Sequence, residues 1–433
     1  MEITGDVEDL LMRARSPLVL WLAFVVVHAW LGWQGFIAES VPYGDVTFVY
    51  WSWAHQAVGG GPIVGIDTPW VYPIVALVPM LVSTLGGLAT QETFAYAWIG
   101  VVVVADAVAF SFLIGSWSRG RHVVRTTAAW WWLAFLVVLG PIAVSRIDSI
   151  ATPLALMGLV FAISRPAVGA ALLTAAAWIK VWPAALVATL WISSLQRKII
   201  VIAAATTTAV IAGIALVLGA GGNVLSFLSQ QTGRGLQVES PASTFFVWLA
   251  AAHVPGFGVV YDHALLTFQV QGPGTTVVAQ LSTIVMILVA ATVLILGVDA
   301  RRHGAVALRL LGPLALAMTV ALIAFNKVGS PQYIGWLAVP IVYGLVIDRA
   351  RFRVPAIITM LIALLTQAFY PYLYLELLEL NPWLVMILSL RNISEFVLLG
   401  YAVVMVARLR SEARAKEKRH ESVSHARMLK LEP

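Results

Sequence analysis

The stretch Glu39–Pro73, ESVPYGDVTFVYWSWAHQAVGGGPIVGIDTPWVYP, interrupts a chain that otherwise consists largely of apolar runs. It follows an uninterrupted apolar segment at 17–37. It carries Asp45 beside a glycine, a run of aromatic residues, a Gly-Gly-Gly-Pro break and then Asp67. A connection of this length is usually functional or carries structure of its own. We therefore expect a membrane-embedded bundle that presents this polar and aromatic segment at one of its faces.

The composition supports this reading. Of the 433 residues, 60% are hydrophobic and 11% are charged, whereas a soluble domain has about 25% charged residues. The chain has no cysteine, which excludes disulfides and thiolate metal sites. It also lacks a P-loop, a Rossmann glycine signature and a His-x-x-His spacing. The sequence thus predicts an integral membrane protein with no soluble nucleotide domain, no nucleic-acid partner, no cofactor and no obligatory metal.

The apolar runs predict an all-α polytopic membrane protein with about 10–12 transmembrane helices, because a span needs roughly 20 apolar residues. The segment 166–194 is too long for one span, and Lys180 and Pro183 lie near its middle, so we interpret it as a hairpin of two short helices. Two long outer loops, 38–93 and 220–276, are expected to carry short helices. The other candidate spans are 17–37, 94–115, 126–144, 148–164, 199–219, 277–298, 305–325, 332–347, 354–373 and 383–407.

The distribution of Lys and Arg predicts the topology, since cytoplasmic loops carry an excess of these residues. A span at 72–89 would place the basic segment 119–125 outside, so we interpret 72–89 as an outer-leaflet or re-entrant element. Both termini are then cytoplasmic. Residues 1–407 form a single transmembrane domain in the plasma membrane, and 408–433 form a basic cytoplasmic tail. The outer loops face the periplasmic side.

Asp45 follows the first span and is a candidate catalytic base. A carboxylate closed in by lipid and aromatic rings would be desolvated, which favours removal of a proton from a sugar hydroxyl. The competing interpretation is a simple cap between helix and loop.

Four basic residues in polar surroundings are candidates for binding a phosphate. Arg146 lies with Asp148 in a tight turn, and an Arg fork matches phosphate oxygens. Each residue also has a structural interpretation, such as a local ion pair for Arg146 or an interfacial anchor for a Lys between tryptophans. The four are Arg146, Lys180, Arg234 and Lys327.

The motifs around these residues contain further candidates for substrate binding, including aromatic rings suited to stacking on sugars. They are Tyr43, Trp51, Trp53, His55, Asp67, Trp70, Tyr72, Asp148, Gln237, Glu239, Ser240, Gln332 and Tyr333.

Three charged residues fall inside predicted spans. Asp106 lies in the middle of 94–115, and Arg391 and Glu395 are one helical turn apart, so they can form a pair. We expect all three to face the bundle interior. A line of such groups would also suit a lipid or sugar transporter or a flippase, which is the alternative class of function. A scaffold for envelope assembly enzymes is a third.

Six motifs occur in an order that resembles the GT-C superfamily of integral membrane glycosyltransferases, particularly glycosyltransferase family 87 of actinobacteria. They lie between about residues 40 and 345, and Tyr72-Pro73-Ile74 departs from the commoner Tyr-Pro-Pro pattern. The motifs are Gly-Asp with downstream Tyr and Trp, Asp-Thr-Pro-Trp-Val-Tyr-Pro, Arg-Ile-Asp, Lys-Val-Trp-Pro, Gly-Leu-Gln-Val-Glu-Ser and Ser-Pro-Gln-Tyr.

This resemblance implies a GT-C-like bundle in which Asp45 is the general base. It implies a polyprenyl-phosphate-linked sugar donor, in the first place mannose and alternatively decaprenyl-phosphate arabinose. The expected acceptor is a glycolipid or polysaccharide of the cell envelope. We expect inverting transfer at the outer face of the membrane, with the polyprenyl tail in a groove between spans that opens to the membrane lipids of the outer leaflet.

Overall fold

A computed structural model describes residues 16–38, 40–115, 122–230, 233–263 and 265–428, without the side chains of 122–123 and of residues from 416 onward. Glu39 lies outside the described residues. So do residues 119–121, which belong to the basic segment used to predict the topology. So does the end of the basic tail.

The described part of the chain is helical apart from one pair of strands. In chain order the elements are α1 (Pro17–Ile37), α2 (Trp51–Val58), α3 (Leu77–Ser83), α4 (Gln91–Ile114), α5 (His122–Leu139), α6 (Asp148–Phe161), α7 (Pro166–Ala177), α8 (Pro183–Ser193), α9 (Arg197–Val217), α10 (Ser226–Ser229), α11 (Thr244–Ala251), β1 (Gly258–Asp262), β2 (Thr267–Gln271), α12 (Thr275–Arg302), α13 (Ala307–Ala324), α14 (Ala338–Ile347), α15 (Arg349–Phe369), α16 (Tyr374–Leu378) and α17 (Pro382–Met428).

Seven of the described helices are long and apolar enough to cross a membrane: α1, α4, α9, α12, α13, α15 and α17. The chain is therefore a helical, membrane-embedded protein. The predicted total of 10–12 spans depends on shorter apolar helices such as α5, α6 and α14. Helix α14 is extended at its start by a 3-10 helix, Pro331–Leu337.

Both ambiguous segments of the sequence are interrupted helices. The helical part of 72–89 is Ile74–Gly86, in which 3-10 turns flank α3, and it is shorter than the roughly 20 residues of a span. Segment 166–194 forms α7 and α8, which are separated by 178–182, as the position of Pro183 predicted. Pro183 is the first residue of α8, where its missing N–H costs no hydrogen bond.

The second long loop contains more than the predicted short helices. Besides α10 and α11 it carries the antiparallel hairpin of β1 and β2, in which Val260 pairs with Gln269. The preceding loop adds to this sheet, because the amide of Val238 donates to the carbonyl of Phe268 at 3.2 Å. The sequence analysis did not predict these strands.

Helix α13 is the centre of the bundle and packs against α8, α12, α14 and α17. In its apolar window 78% of the residues are buried, compared with 11% in α9 and 17% in α12. Close backbone packing joins α6 to α7, since a Cβ on Gly169 would lie 2.7 Å from the carbonyl oxygen of Gly158. Small residues at such contacts are typical of helices that associate in lipid.

The intramembrane charges face the interior, as predicted. Asp106 is 4% exposed, and its Oδ2 lies 3.0 Å from Nε2 of His28 on α1. Arg391 is fully buried, and its Nη1 lies 2.6 Å from Oε1 of Glu395. Each charged group therefore has a buried partner.

Candidate active site

Asp45 begins a π-helical turn, Asp45–Tyr50, which continues directly into α2. Such turns are rare and occur frequently at functional sites. The Oδ2 atom of Asp45 lies 3.1 Å from Nε of Arg146, and the Asp45 side chain is 42% exposed. Asp45 is therefore paired with a cation and remains open on one side, where an acceptor can reach it.

Arg146 is held by acceptors along its whole guanidinium. Its Nη1 donates to the carbonyl of Pro42 at 2.8 Å and to that of Ser145 at 2.9 Å, and its Nη2 donates to the hydroxyl of Tyr370 at 2.7 Å. Burial alone would lower the pKa of Arg146, but the charge of Asp45 raises it above its usual range. With both Nη groups engaged, the remaining Nε–H faces Asp45.

A second ion pair lies at the neighbouring helix ends. The Nζ of Lys180, between α7 and α8, is 3.4 Å from Oδ2 of Asp148, the first residue of α6. The indole N–H of Trp336 donates to the other carboxylate oxygen at 2.7 Å. The Lys180 ammonium also lies 4.7 Å from the ring centroid of Tyr72 and 5.6 Å from that of Tyr333. Four residues that were predicted separately thus form one cluster.

Tyrosines connect the two ion pairs. The hydroxyl of Tyr50 accepts from the amide of Ile147, the residue between Arg146 and Asp148, at 3.1 Å. The Tyr50 ring also contacts Tyr72 edge to face, with 6.4 Å between the ring centroids, and Tyr72 contacts Lys180. Asp45 and the Lys180 cluster therefore belong to one continuous site at the same ends of the helices.

Arg234 and Lys327 belong to two loops that are joined to each other. The amide of Gln237 donates to the carbonyl of Lys327 at 3.0 Å, and the hydroxyl of Ser330 donates to Oε1 of Gln237 at 3.1 Å. Burial, and then the charge of Arg234, lower the pKa of Lys327. The charge of Arg234 also acts on Lys180. The charge of Arg234 thus acts on both lysines, an arrangement that favours a bound anion.

The side chain of Arg234 has a hydrogen-bond donor that is available to a ligand. Its Nε is buried, and among the described residues it has no hydrogen-bond partner. A buried donor of this kind is costly unless a ligand or water satisfies it.

An aromatic group borders the site. The ring centroid of Trp53 lies 6.0 Å from that of Tyr50, 5.4 Å from that of Trp70 and 6.1 Å from that of Tyr72. Trp70 is buried, and its amide donates to the hydroxyl of Ser226 at 2.8 Å, which fixes the first long loop on the second. The partly exposed rings of Trp53 and Tyr72 are the members of the group that a sugar could reach.

Four residues of the first loop that were predicted to bind substrate make local contacts in the structure. They are Tyr43, Trp51, His55 and Asp67. Tyr43 is buried against α1 and donates to its backbone carbonyls. His55 is exposed and stacks on Trp51 one turn away. Asp67 is exposed and accepts from the amide of Ile63 at 2.6 Å, which closes a tight turn.

The remaining predicted residues hold the second loop and the cluster together. Ser240 is an N-cap that accepts from the amide of Ser243. Glu239 is 1% exposed and accepts from the hydroxyl of Tyr374 at 2.5 Å. Burial raises the pKa of Glu239, although the bond from Tyr374 acts in the opposite direction. Gln332 lines an interior cavity that reaches from Asp148 to Asp106.

Besides Tyr50, which the sequence shows only as part of an aromatic run, three residues of the site were not singled out from the sequence: Trp336, Tyr370 and Tyr374. Trp336 had a usable signal, since it follows Tyr333 by three residues on a 3-10 helix and therefore lies on the same face. The two tyrosines follow the apolar α15 with no polar motif around them. Their partners, Arg146 and Glu239, are 224 and 135 residues away in the chain.

The fold and the site define a helical membrane protein with a paired, accessible carboxylate next to a cluster of cations and aromatic rings. No group of three or more potential metal ligands occurs among the described residues. No protein-family model matches this chain, and no curated protein or solved structure matches it either.

Proposed function

We propose that this protein is a membrane glycosyltransferase that moves a sugar from a polyprenyl-phosphate donor to an envelope glycolipid or polysaccharide. The observation that carries the proposal is the site in which the accessible Asp45 lies near Lys180 and Tyr72, while the charge of Arg234 acts on both Lys180 and Lys327. Separate groups for proton removal and for an anionic leaving group are what glycosyl transfer to a hydroxyl requires.

The proposed reaction is one inverting displacement. Asp45 takes the proton of an acceptor hydroxyl, and the hydroxyl oxygen forms a bond to the anomeric carbon. The bond from that carbon to the phosphate oxygen breaks, and polyprenyl phosphate leaves with the electron pair. Lys180, Arg234 and Lys327 stabilise the charge on the departing phosphate. Charges fixed in advance at a developing anion are usually a large contribution to catalysis.

The lengths of the helices support a donor that is carried in lipid. Helices α6, α7 and α8 have 14, 12 and 11 residues. At 1.5 Å per residue they are about 21, 18 and 17 Å long, against a hydrocarbon core of about 30 Å. If the predicted cytoplasmic ends lie at the inner boundary, Asp148 and Lys180 lie roughly 10 Å below the outer one. A phosphate on a lipid chain can reach such a recessed site laterally.

Arg146 was predicted to bind the donor phosphate, but its contacts favour a different role. Since both Nη groups are engaged and Nε faces Asp45, we assign Arg146 to holding the carboxylate. Arg146→Lys is expected to lower kcat by about 10- to 100-fold, because Lys cannot reproduce the fork, and to leave the donor KM unchanged. Steady-state kinetics with varied donor would check this. A raised donor KM with normal kcat would instead place the phosphate at Arg146.

Lys327 gives the site a pH dependence. Its pKa is lowered, so it loses its proton at lower pH than an ordinary lysine. A sugar phosphodiester keeps its single negative charge over that range. The donor KM is therefore expected to rise on the alkaline side, and Lys327→Arg should remove the rise because Arg stays protonated. The measurement is donor KM against pH for both proteins. An identical alkaline rise in Lys327→Arg would contradict the assignment.

The test of the function is to incubate the purified protein with mannosyl and arabinofuranosyl polyprenyl phosphates and a panel of envelope glycolipids. Transfer from the mannosyl donor with inversion, read from the anomeric signal of the product, is the expected result. Transfer from the arabinofuranosyl donor alone would keep the reaction and change the sugar. Movement of intact lipid-linked sugar across vesicles without transfer would favour the flippase alternative.

A further inference from the structure

Arg391 is the most deeply buried charge near the second outer loop. It belongs to α17 and has no exposed side-chain surface. Its Nη2 donates to the carbonyl of Glu239 at 2.9 Å and to that of Gly329 at 3.4 Å, and its Nη1 lies 2.6 Å from Oε1 of Glu395. One guanidinium thus bridges two loops that are distant in sequence.

Those two loops are 233–240 and 326–330, which carry Arg234 and Lys327; we call them the paired loops. They touch backbone to backbone, because a Cβ on Gly329 would lie 2.3 Å from the Cα of Ser240. The bond from the Gln237 amide to the Lys327 carbonyl lies at the same junction. Arg391 closes this junction from the side of the bundle. The relative position of the two cations therefore depends on a contact that Arg391 makes with both backbones.

Stability alone does not account for this arrangement. Taking two charges out of water into a bundle has a large desolvation cost, and apolar residues of similar volume often stabilise the fold equally well or better. The pair is also incompletely satisfied, since Nε of Arg391 and Oε2 of Glu395 have no hydrogen-bond partner among the described residues. What an apolar pair cannot supply is a guanidinium whose Nη2 donates to both loop carbonyls while its Nη1 is held by Glu395.

We propose that Arg391, oriented by Glu395, is a positioning residue that sets the distance between Arg234 and Lys327 by holding the paired loops together. Its effect on catalysis rests on the proposed function, in which these two cations receive the donor phosphate. Its effect on the loops does not. Arg391 touches neither substrate nor reacting atoms.

The test uses the full-length protein with Arg391→Met/Glu395→Met, which removes both charges together and so leaves neither buried alone. Ser389→Ala is the matched control. Ser389 lies on the same helix and accepts from Trp248 at 2.9 Å, and no described contact joins it to the paired loops. The first readout is amide hydrogen exchange of the peptide that contains Gln237. The second is donor KM and kcat.

In the double variant we expect exchange at Gln237 to accelerate by about tenfold, because the junction opens more often. The donor KM should rise by a similar factor, with a smaller change in kcat. Ser389→Ala should change neither quantity. Arg391→Lys, which keeps the charge pair but lacks the fork, should accelerate exchange as well, and it provides the same test if the double variant does not fold.

Unchanged exchange at Gln237 in a folded variant would overturn the proposal, whatever the transfer rate. Faster exchange in a protein that transfers no sugar from any lipid donor would support the positioning role and count against the proposed function. Faster exchange with an unchanged donor KM would separate the loops from phosphate binding and overturn the catalytic part.

Discussion

Asp45→Asn is expected to lower sugar transfer by about 10²–10⁴-fold, the range that general-base catalysis typically contributes. An asparagine amide is not basic enough to remove the proton from the hydroxyl group of the sugar acceptor. Folding should persist, because the amide oxygen that replaces the carboxylate can still accept from Nε of Arg146, which keeps its bonds to Pro42, Ser145 and Tyr370. The measurement is initial rate with saturating donor and acceptor, at matched amounts of folded protein.

Asp67→Asn is the control for this variant. Asp67 belongs to the same long loop and is an exposed carboxylate, but it only closes a turn with the amide of Ile63. Its rate should match that of the wild type. If Asp45→Asn kept the wild-type rate, Asp45 would not be the base.

The second large effect is expected from Lys180→Met/Asp148→Asn. We expect a loss of about 10²–10³-fold in kcat/KM, comparable to removing one donor from a preorganised anion site. Both residues are changed because Lys180→Met alone would leave the Asp148 carboxylate buried without its cation, which costs about 3–5 kcal/mol. The amide oxygen that Asp148→Asn introduces can still accept from the indole N–H of Trp336.

Kinetics with varied donor would measure this effect, together with thermal unfolding to establish that the variant is folded. A matched control is Arg351→Met/Glu412→Gln, which removes another ion pair, at 3.0 Å, between α15 and α17. That pair lies at the opposite end of the bundle and should not affect transfer. A normal donor KM and kcat in Lys180→Met/Asp148→Asn would show that the phosphate binds elsewhere.

The sequence was most informative where local composition determines structure. The run at 17–37 contains no charge, and it forms a helix with those limits. Pro183 marked the break in 166–194. The strands β1 and β2 were missed because each has only five residues and no Asn-Gly or Asp-Gly turn joins them. Helix α17 continues from the predicted span at 383–407 into the polar tail, whose residues have a high intrinsic helix propensity.

Partnerships across the chain could not be predicted. Asp45 and Arg146 were both singled out, but the sequence does not show that they form a pair, and so Arg146 was assigned to the phosphate. His28 was not considered, although it is the partner of Asp106, because the two are 78 residues apart. Residues with a local structural role, such as Tyr43 and Ser240, carry the same motif signal as those of the site. Only their contacts separate the two groups.

The most direct test of the central claim compares donors of two chemical classes. The purified protein would receive a glycolipid acceptor with either a polyprenyl-phosphate sugar or the corresponding nucleotide sugar. We predict transfer from the lipid-linked donor only, with one polyprenyl phosphate released per sugar transferred. Transfer from the nucleotide sugar, or none from either donor, would contradict the account.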